Sequence, residues 1–202
     1  RYVSIDAINH VVEAATTTVT NPLAISLAAE TIRLVHQWLP AVLDNPADLK
    51  ARHQLCYAAM QAGVAFDNGL LHFTRALEHP LSAVSPDLSH GLGLAVLLPA
   101  VILECYPACP DVLAHILAPM APGLKGLPEE APKAAKAVEQ WLASVGVPQK
   151  LEDIGVTAQD IEKFCDLVEQ TPSLGLLISV APVEGTRERV ARIYTNSLKP
   201  LA

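Results

Sequence analysis

The sequence is short of aromatic residues: two tryptophans, four tyrosines and three phenylalanines make up 4% of 202 residues. Yet 51% of the chain is hydrophobic, and alanine and leucine lead that half, a composition that suits packed helices. Basic residues are also few. Fourteen Lys and Arg face 21 Asp and Glu, a formal charge of −7. That excludes a nucleic-acid backbone as the main partner, because phosphate contacts need clustered cations. There is no basic amphipathic stretch to lie on an anionic membrane. The longest apolar run, Gly91 to Leu103, is interrupted by Pro99 and is too short to span a bilayer, so it reads as a deeply buried helix. No CxxC pair occurs among the four cysteines (Cys56, Cys105, Cys109, Cys165), which predicts free thiols and a cytoplasmic protein. The opening residues lead us to expect no signal peptide. Phosphate-cradling glycine loops and the GxSxG elbow are missing as well. The abrupt start at Arg1 leads us to expect a piece of a longer protein.

No segment alternates with period two over more than a few residues, so the chain reads as helix punctuated by proline and glycine. Ser4 is expected to cap a first helix through Asp6 and His10. Asn21-Pro22 reads as an N-cap with proline at the first helical position, opening a second helix that stops at Pro40. Asn45-Pro46 is expected to open a third, with Leu49, His53, Cys56, Met60 and Val64 near one face. A fourth runs through Phe66 and His72 to about Pro80, and the buried helix starts at Ser89. A short helix is expected near Asp111 to Met120, a longer one from Pro132, another behind the capping-box sequence Thr157 to Asp160, and a last one from Thr186. The expectation is one all-α domain, a helical bundle of about nine helices over residues 1–202, with room for a small C-terminal lobe.

Two clusters could carry chemistry. Asp6 and His10 stand four residues apart, hence on one helical face, where a carboxylate and an imidazole can share a divalent ion. An acid in the first turn of a helix with a nearby histidine is an equally ordinary arrangement. Three of the seven histidines lie between His72 and His90. His79 ends one helix and His90 begins the next, so both can converge, or each can merely cap its helix. Arg75 stands one turn before His79; a guanidinium ligates no metal and repels one. His36, His53 and His115 fall in ordinary amphipathic patterns.

The segments from Asp6, Asn21 and Phe66 to Pro99 resemble, in order, the motifs of the C-terminal domain of iron-containing (group III) alcohol dehydrogenases. These are D-A-L-x-H-A-x-E-A, an N-P segment, H-x-x-x-H-P-L-G and P-H-G-x-x-x-A-x-L-L-P. The tail from Glu184 looks like the family's closing segment. The resemblance implies a dehydroquinate synthase-like helical domain facing an N-terminal dinucleotide-binding domain, which this chain lacks. It implies Fe2+ or Zn2+ as metal, NAD or NADP as hydride carrier, an alcohol or aldehyde as substrate, and a homo-oligomer. Residue by residue, Asp6, His10 and His90 match metal ligands, His79 matches a proton-transfer position near the reacting centre, and Phe66 matches an aromatic expected near the nicotinamide.

The departures fall on the same site. The family's remaining ligand position is Arg75 here, the loop from His79 to His90 is one residue longer, and Ala24-Ile25 replace the usual T-D. Three readings follow. His79 could supply the fourth ligand, His72 could reach in, or the site could work without metal, with Arg75 as electrophile for an oxoacid. A non-enzymatic helical module is a further alternative.

Overall fold

In the computed structural model, which describes every residue from Arg1 to Ala202, ten α-helices follow one another with four single-turn 3-10 segments and no strand. They are α1 (Tyr2–Thr16), α2 (Pro22–Asp44), α3 (Leu49–Gly69), α4 (Phe73–Val84), α5 (His90–Cys105), α6 (Pro110–Ile116), α7 (Ala131–Ser144), α8 (Ile161–Gln170), α9 (Pro172–Ser179) and α10 (Arg187–Ser197).

Several starts follow from local chemistry. The Asn21 side chain accepts from the Ala24 N–H at 3.0 Å, with Pro22 behind it at a position whose missing N–H has no helical partner to lose. Asp160 accepts from both the N–H and the hydroxyl of Thr157, and α8 follows. Thr186 caps α10 through the Arg189 N–H.

Other expectations are corrected. Ser4 lies inside α1, whose N-cap is Arg1. Asp48, rather than Asn45, caps α3, while Asn45 closes its own turn onto the Ala47 N–H. Pro40 and Pro80 sit within helices that continue past them, and Pro99 lies inside the buried helix that was expected to run across it. An interior proline removes one backbone bond and strains one turn; packing on flanking helices holds the chain helical all the same. At α4 the Tyr194 hydroxyl donates to the Leu77 carbonyl at 2.7 Å, beside the turn that Pro80 disturbs. Counted through to Ala108, the α5 stretch is 19 residues with an 18-residue window of mean hydropathy 1.7, long and apolar enough to cross a membrane by length and composition, but 72% of that window is buried in the fold. The face of α3 carrying Leu49, Met60 and Val64 points outward, and Ala51, Ala58, Ala62 and Ala65 are buried instead. α9 was not expected at all.

Two cores share one wall. Helices α1, α2 and α3 pack on each other through small residues such as Ala14, Ala28, Ala58 and Ala62, and α6 and α7 complete this larger cluster. The second cluster joins α4, α8, α9 and α10 around Phe73, Phe164 and Tyr194. α5 runs between them. Ala95, Leu98 and Ile102 face the first core, while Val96, Leu97, Ala100 and Val101 face the second. A helix apolar on all sides has to be covered on all sides. The N-terminus of α5, the start of α4 and the middle of α1 meet where the cores adjoin, and the candidate site lies there.

Candidate active site

Asp6, His10 and Glu13 occupy positions i, i+4 and i+7 of α1, one stripe of a helix. Glu13 is fully buried. Its Oε1 accepts the backbone N–H groups of His72 (3.2 Å) and Arg75 (3.3 Å). These lie at the start of α4, where helical donors have no partner of their own. Glu13 thus caps α4 from another helix. Its Oε2 accepts Arg75 Nη1 at 2.6 Å.

Held this way, the Arg75 guanidinium reaches the other two stripe residues. Nη2 donates to Asp6 Oδ1 and lies 2.9 and 3.1 Å from Nδ1 and Nε2 of His10. His10 Nδ1 is also 2.9 Å from the Asp6 carbonyl oxygen. A carbonyl only accepts, so Nδ1 carries the proton and Nε2 the lone pair. Burial works to raise the Asp6 carboxyl, but the hydrogen bond from His10 and the charges of Arg75, His10 and His90 outweigh it, and the group lies below the ordinary carboxylate value.

His72 sits behind this network, wholly buried. Its Nε2 is 2.8 Å from the Thr16 hydroxyl, which itself donates to the Val12 carbonyl at 2.7 Å, so Nε2 carries the ring proton and Nδ1 has no partner. Burial holds the ring below the ordinary histidine value and keeps it neutral. One ring nitrogen is therefore committed to Thr16. Leu70, just upstream, takes φ 63° and ψ 177°, a strained backbone for a leucine in the turn that joins Phe66 to His72.

Across the site, α4 and α5 bring together Glu78, Ser82, His79 and His90. Glu78 is fully buried. It accepts the Ser82 hydroxyl and His90 Nδ1, each at 2.5 Å. That fixes the His90 ring and leaves its Nε2 free; the side chain is 43% exposed. The His79 and His90 rings lie 6.0 Å apart, centre to centre. Two glycines let α5 lie close to α1 and to α4. A Cβ on Gly91 would come within 2.6 Å of the Tyr2 carbonyl oxygen, and one on Gly93 within 2.8 Å of the Glu78 side chain. Phe66 lies 5.7 Å from the His10 ring and is 39% exposed, an apolar edge beside the polar cluster.

Residues 2–198 match the model of the Fe-containing alcohol dehydrogenase family, C-terminal part. The chain belongs to this family. It is 54% identical over 96% of its length to the long-chain primary alcohol dehydrogenase of Thermoanaerobacter ethanolicus, and 33% identical over 95% to the 1,3-propanediol dehydrogenase of Klebsiella pneumoniae. It covers 49% of each, so the chain spans about half the length of these curated relatives. Among solved structures, the alcohol dehydrogenase from Oenococcus oeni superposes with a TM-score of 0.86 at 28% identity, over 96% of this chain and 50% of that one.

The family's name carries iron, and holding such an ion would take several converging donors in this chain. The donors present do not fit a divalent ion. No three His, Cys, Asp or Glu side chains converge where an ion could be held. Asp6 Oδ1 and the His10 ring nitrogens, expected to be ligand atoms, all face one guanidinium nitrogen of Arg75. The expected ligand set of Asp6, His10 and His90, with His79 or His72 as fourth, has the Arg75 guanidinium among its donors. A planar cation stands between the donors, and His72 is turned to Thr16. Glu13 and Glu78 were missed in the sequence. Glu13 had a signal, since it continues the Asp6–His10 stripe; Glu78 had none beyond its place next to His79.

Proposed function

We propose that the chain is the helical half of an oxidoreductase that interconverts uncharged alcohols and aldehydes, with the nucleotide held by a separate dinucleotide-binding half. The observation that carries this reading is the half-open polar cluster of Asp6, His10 and Arg75 with His90 and His79 nearby and Phe66 at its edge. The names of the relatives support the reaction class. NAD or NADP supplies the hydride acceptor when bound.

The chain's own residues then have four tasks. Phe66 offers the nicotinamide ring an apolar surface. Asp6, His10 and Arg75 form a hydrogen-bonding floor for the substrate oxygen. His79 accepts the proton that the hydroxyl releases as its carbon gives up hydride. His90, held by Glu78, keeps that floor and His79 in register. Free thiols at all four cysteines support a cytoplasmic location.

Charge favours a neutral substrate over an oxoacid. Arg75 already faces two carboxylates, Asp6 and Glu13. An incoming anion would find no unbalanced positive charge there.

The test is a nicotinamide-linked assay on the full-length protein with primary alcohols, their aldehydes and short oxoacids. Turnover of alcohols and aldehydes without oxoacids is expected. Preference for oxoacids would establish the opposite reading, and no turnover of any of them would end the dehydrogenase assignment.

A further inference from the structure

We propose that Arg75 is the resident cation of this site, a charge built into the chain at the place where the resemblance expects a metal ligand, and that the site takes up no divalent ion.

First, the guanidinium uses the atoms a metal would need. Its Nη2 faces Asp6 Oδ1 and lies within 3.1 Å of both His10 ring nitrogens. Proton placement on His10 leaves Nε2 as its one lone pair, with the guanidinium nitrogen 3.1 Å away. An ion seeking Asp6 and His10 has to displace a hydrogen-bonded cation from both.

Second, Arg75 cannot easily swing away. Glu13 Oε2 holds Nη1 at 2.6 Å, and Glu13 Oε1 holds the Arg75 backbone N–H at 3.3 Å. Glu13 itself is wholly buried and lies against the start of α4. Moving the guanidinium out would leave that carboxylate without its counter-charge in a dry interior.

Third, the site already holds a fixed cation. Asp6 and Glu13 carry two negative charges, and Arg75 supplies one fixed positive charge between them. A dication placed beside the guanidinium would meet repulsion at short range. The remaining expected ligand, His90, has its Nδ1 tied to buried Glu78 and offers one exposed nitrogen, too little to hold an ion alone.

The test is metal stoichiometry, read independently of activity. The protein is purified with whatever sequence its gene encodes on either side of this chain. Elemental analysis and calorimetric titration with Zn2+ and, without oxygen, Fe2+ are expected to find no stoichiometric site. Arg75→His is expected to gain one ion per chain, removed by a chelator and lost again with Asp6→Asn. Because that variant strands Glu13, an Arg75→His/Glu13→Gln form is tested alongside it, each checked for folding by circular dichroism. One ion per wild-type chain, lost on Asp6→Asn, overturns the proposal outright. It also fails if a folded histidine variant gains no ion, since the guanidinium would then not be what keeps metal out. Failure of the alcohol assay with these stoichiometries intact would strike the proposed reaction and leave this inference standing.

Discussion

Two arginines in this chain each gather several carboxylates, and they teach opposite lessons. Arg187, on α10, bonds Glu162 at 2.7 Å, Asp166 at 2.8 Å and Glu169 at 2.7 Å, with side chains 35–75% exposed. Arg75 bonds Asp6 and Glu13 with its own side chain 7% exposed and Glu13 wholly enclosed. By number of partners the surface cluster looks stronger. By consequence the buried one dominates. Each group of the Arg187 cluster can turn to water if a partner is lost, and salt screens what remains. Glu13 has no water to turn to, so removal of Arg75 leaves a bare charge in the core.

The sharpest way to break the contrast is Arg75→Met. Loss of one partner of a buried pair is expected to destabilise the fold by about 3–5 kcal/mol, a large share of the ~5–15 kcal/mol that holds a domain together. Urea unfolding of the single variant and of Arg75→Met/Glu13→Gln checks it. The double variant should recover most of the loss, and if it is as unstable as the single one, the stranded charge is not the cause.

Next in size is Gly93→Ala. The new methyl would sit within 2.8 Å of Glu78, and overpacking of this kind costs about 1–3 kcal/mol. The same melt should show it, together with a shifted His90 ring signal in NMR.

A pH titration separates the buried network from the surface one. The folded-state value of His72 lies below its ordinary 6.5 because burial disfavours the charged ring. The unfolded chain therefore binds more protons, and stability falls as pH drops below 6.5, by at most about 1.4 kcal/mol per pH unit. Asp6 also has a lowered value, so its contribution persists above 3.8 and fails only in stronger acid. Loss of stability between pH 6.5 and 5 should thus vanish in His72→Gln; an unchanged slope would assign it to another group.

The smallest effect is expected for Arg187→Ala. Its unfolding midpoint should stay close to wild type in low salt and become indistinguishable from it in high salt. A clear loss that survives high salt would show that the surface cluster is worth more than its exposure suggests.

This same division between inside and outside decides what the sequence could reveal. Asn21-Pro22 and the Thr157–Asp160 box announce helix starts because capping is local chemistry, settled within four residues. Pro40 and Pro80 mislead because the forces keeping those helices intact come from neighbours far along the chain. The apolar positions of α3 predict one face, but alanines on the other side allow closer approach to α1 and α2, and the close approach wins. In the site, Asp6, His10, His79 and His90 stand out as residue types at telling spacings. Arg75 was visible as the misplaced residue. What it does was not, because its two carboxylates come from α1, 62 and 69 residues away, and no local pattern links them.

The helix shared by the two cores has a further consequence for how the molecule opens. Because α5 forms a wall of both, neither lobe can come apart without exposing an apolar side of the other's boundary. Local excursions will be confined to the rim, to α9 and the turns around it. The amides of residues 94–102 should exchange with solvent deuterium only when the whole chain unfolds. Both lobes should then melt as one transition, so damage at the site's buried ion pair will be felt as far away as α10.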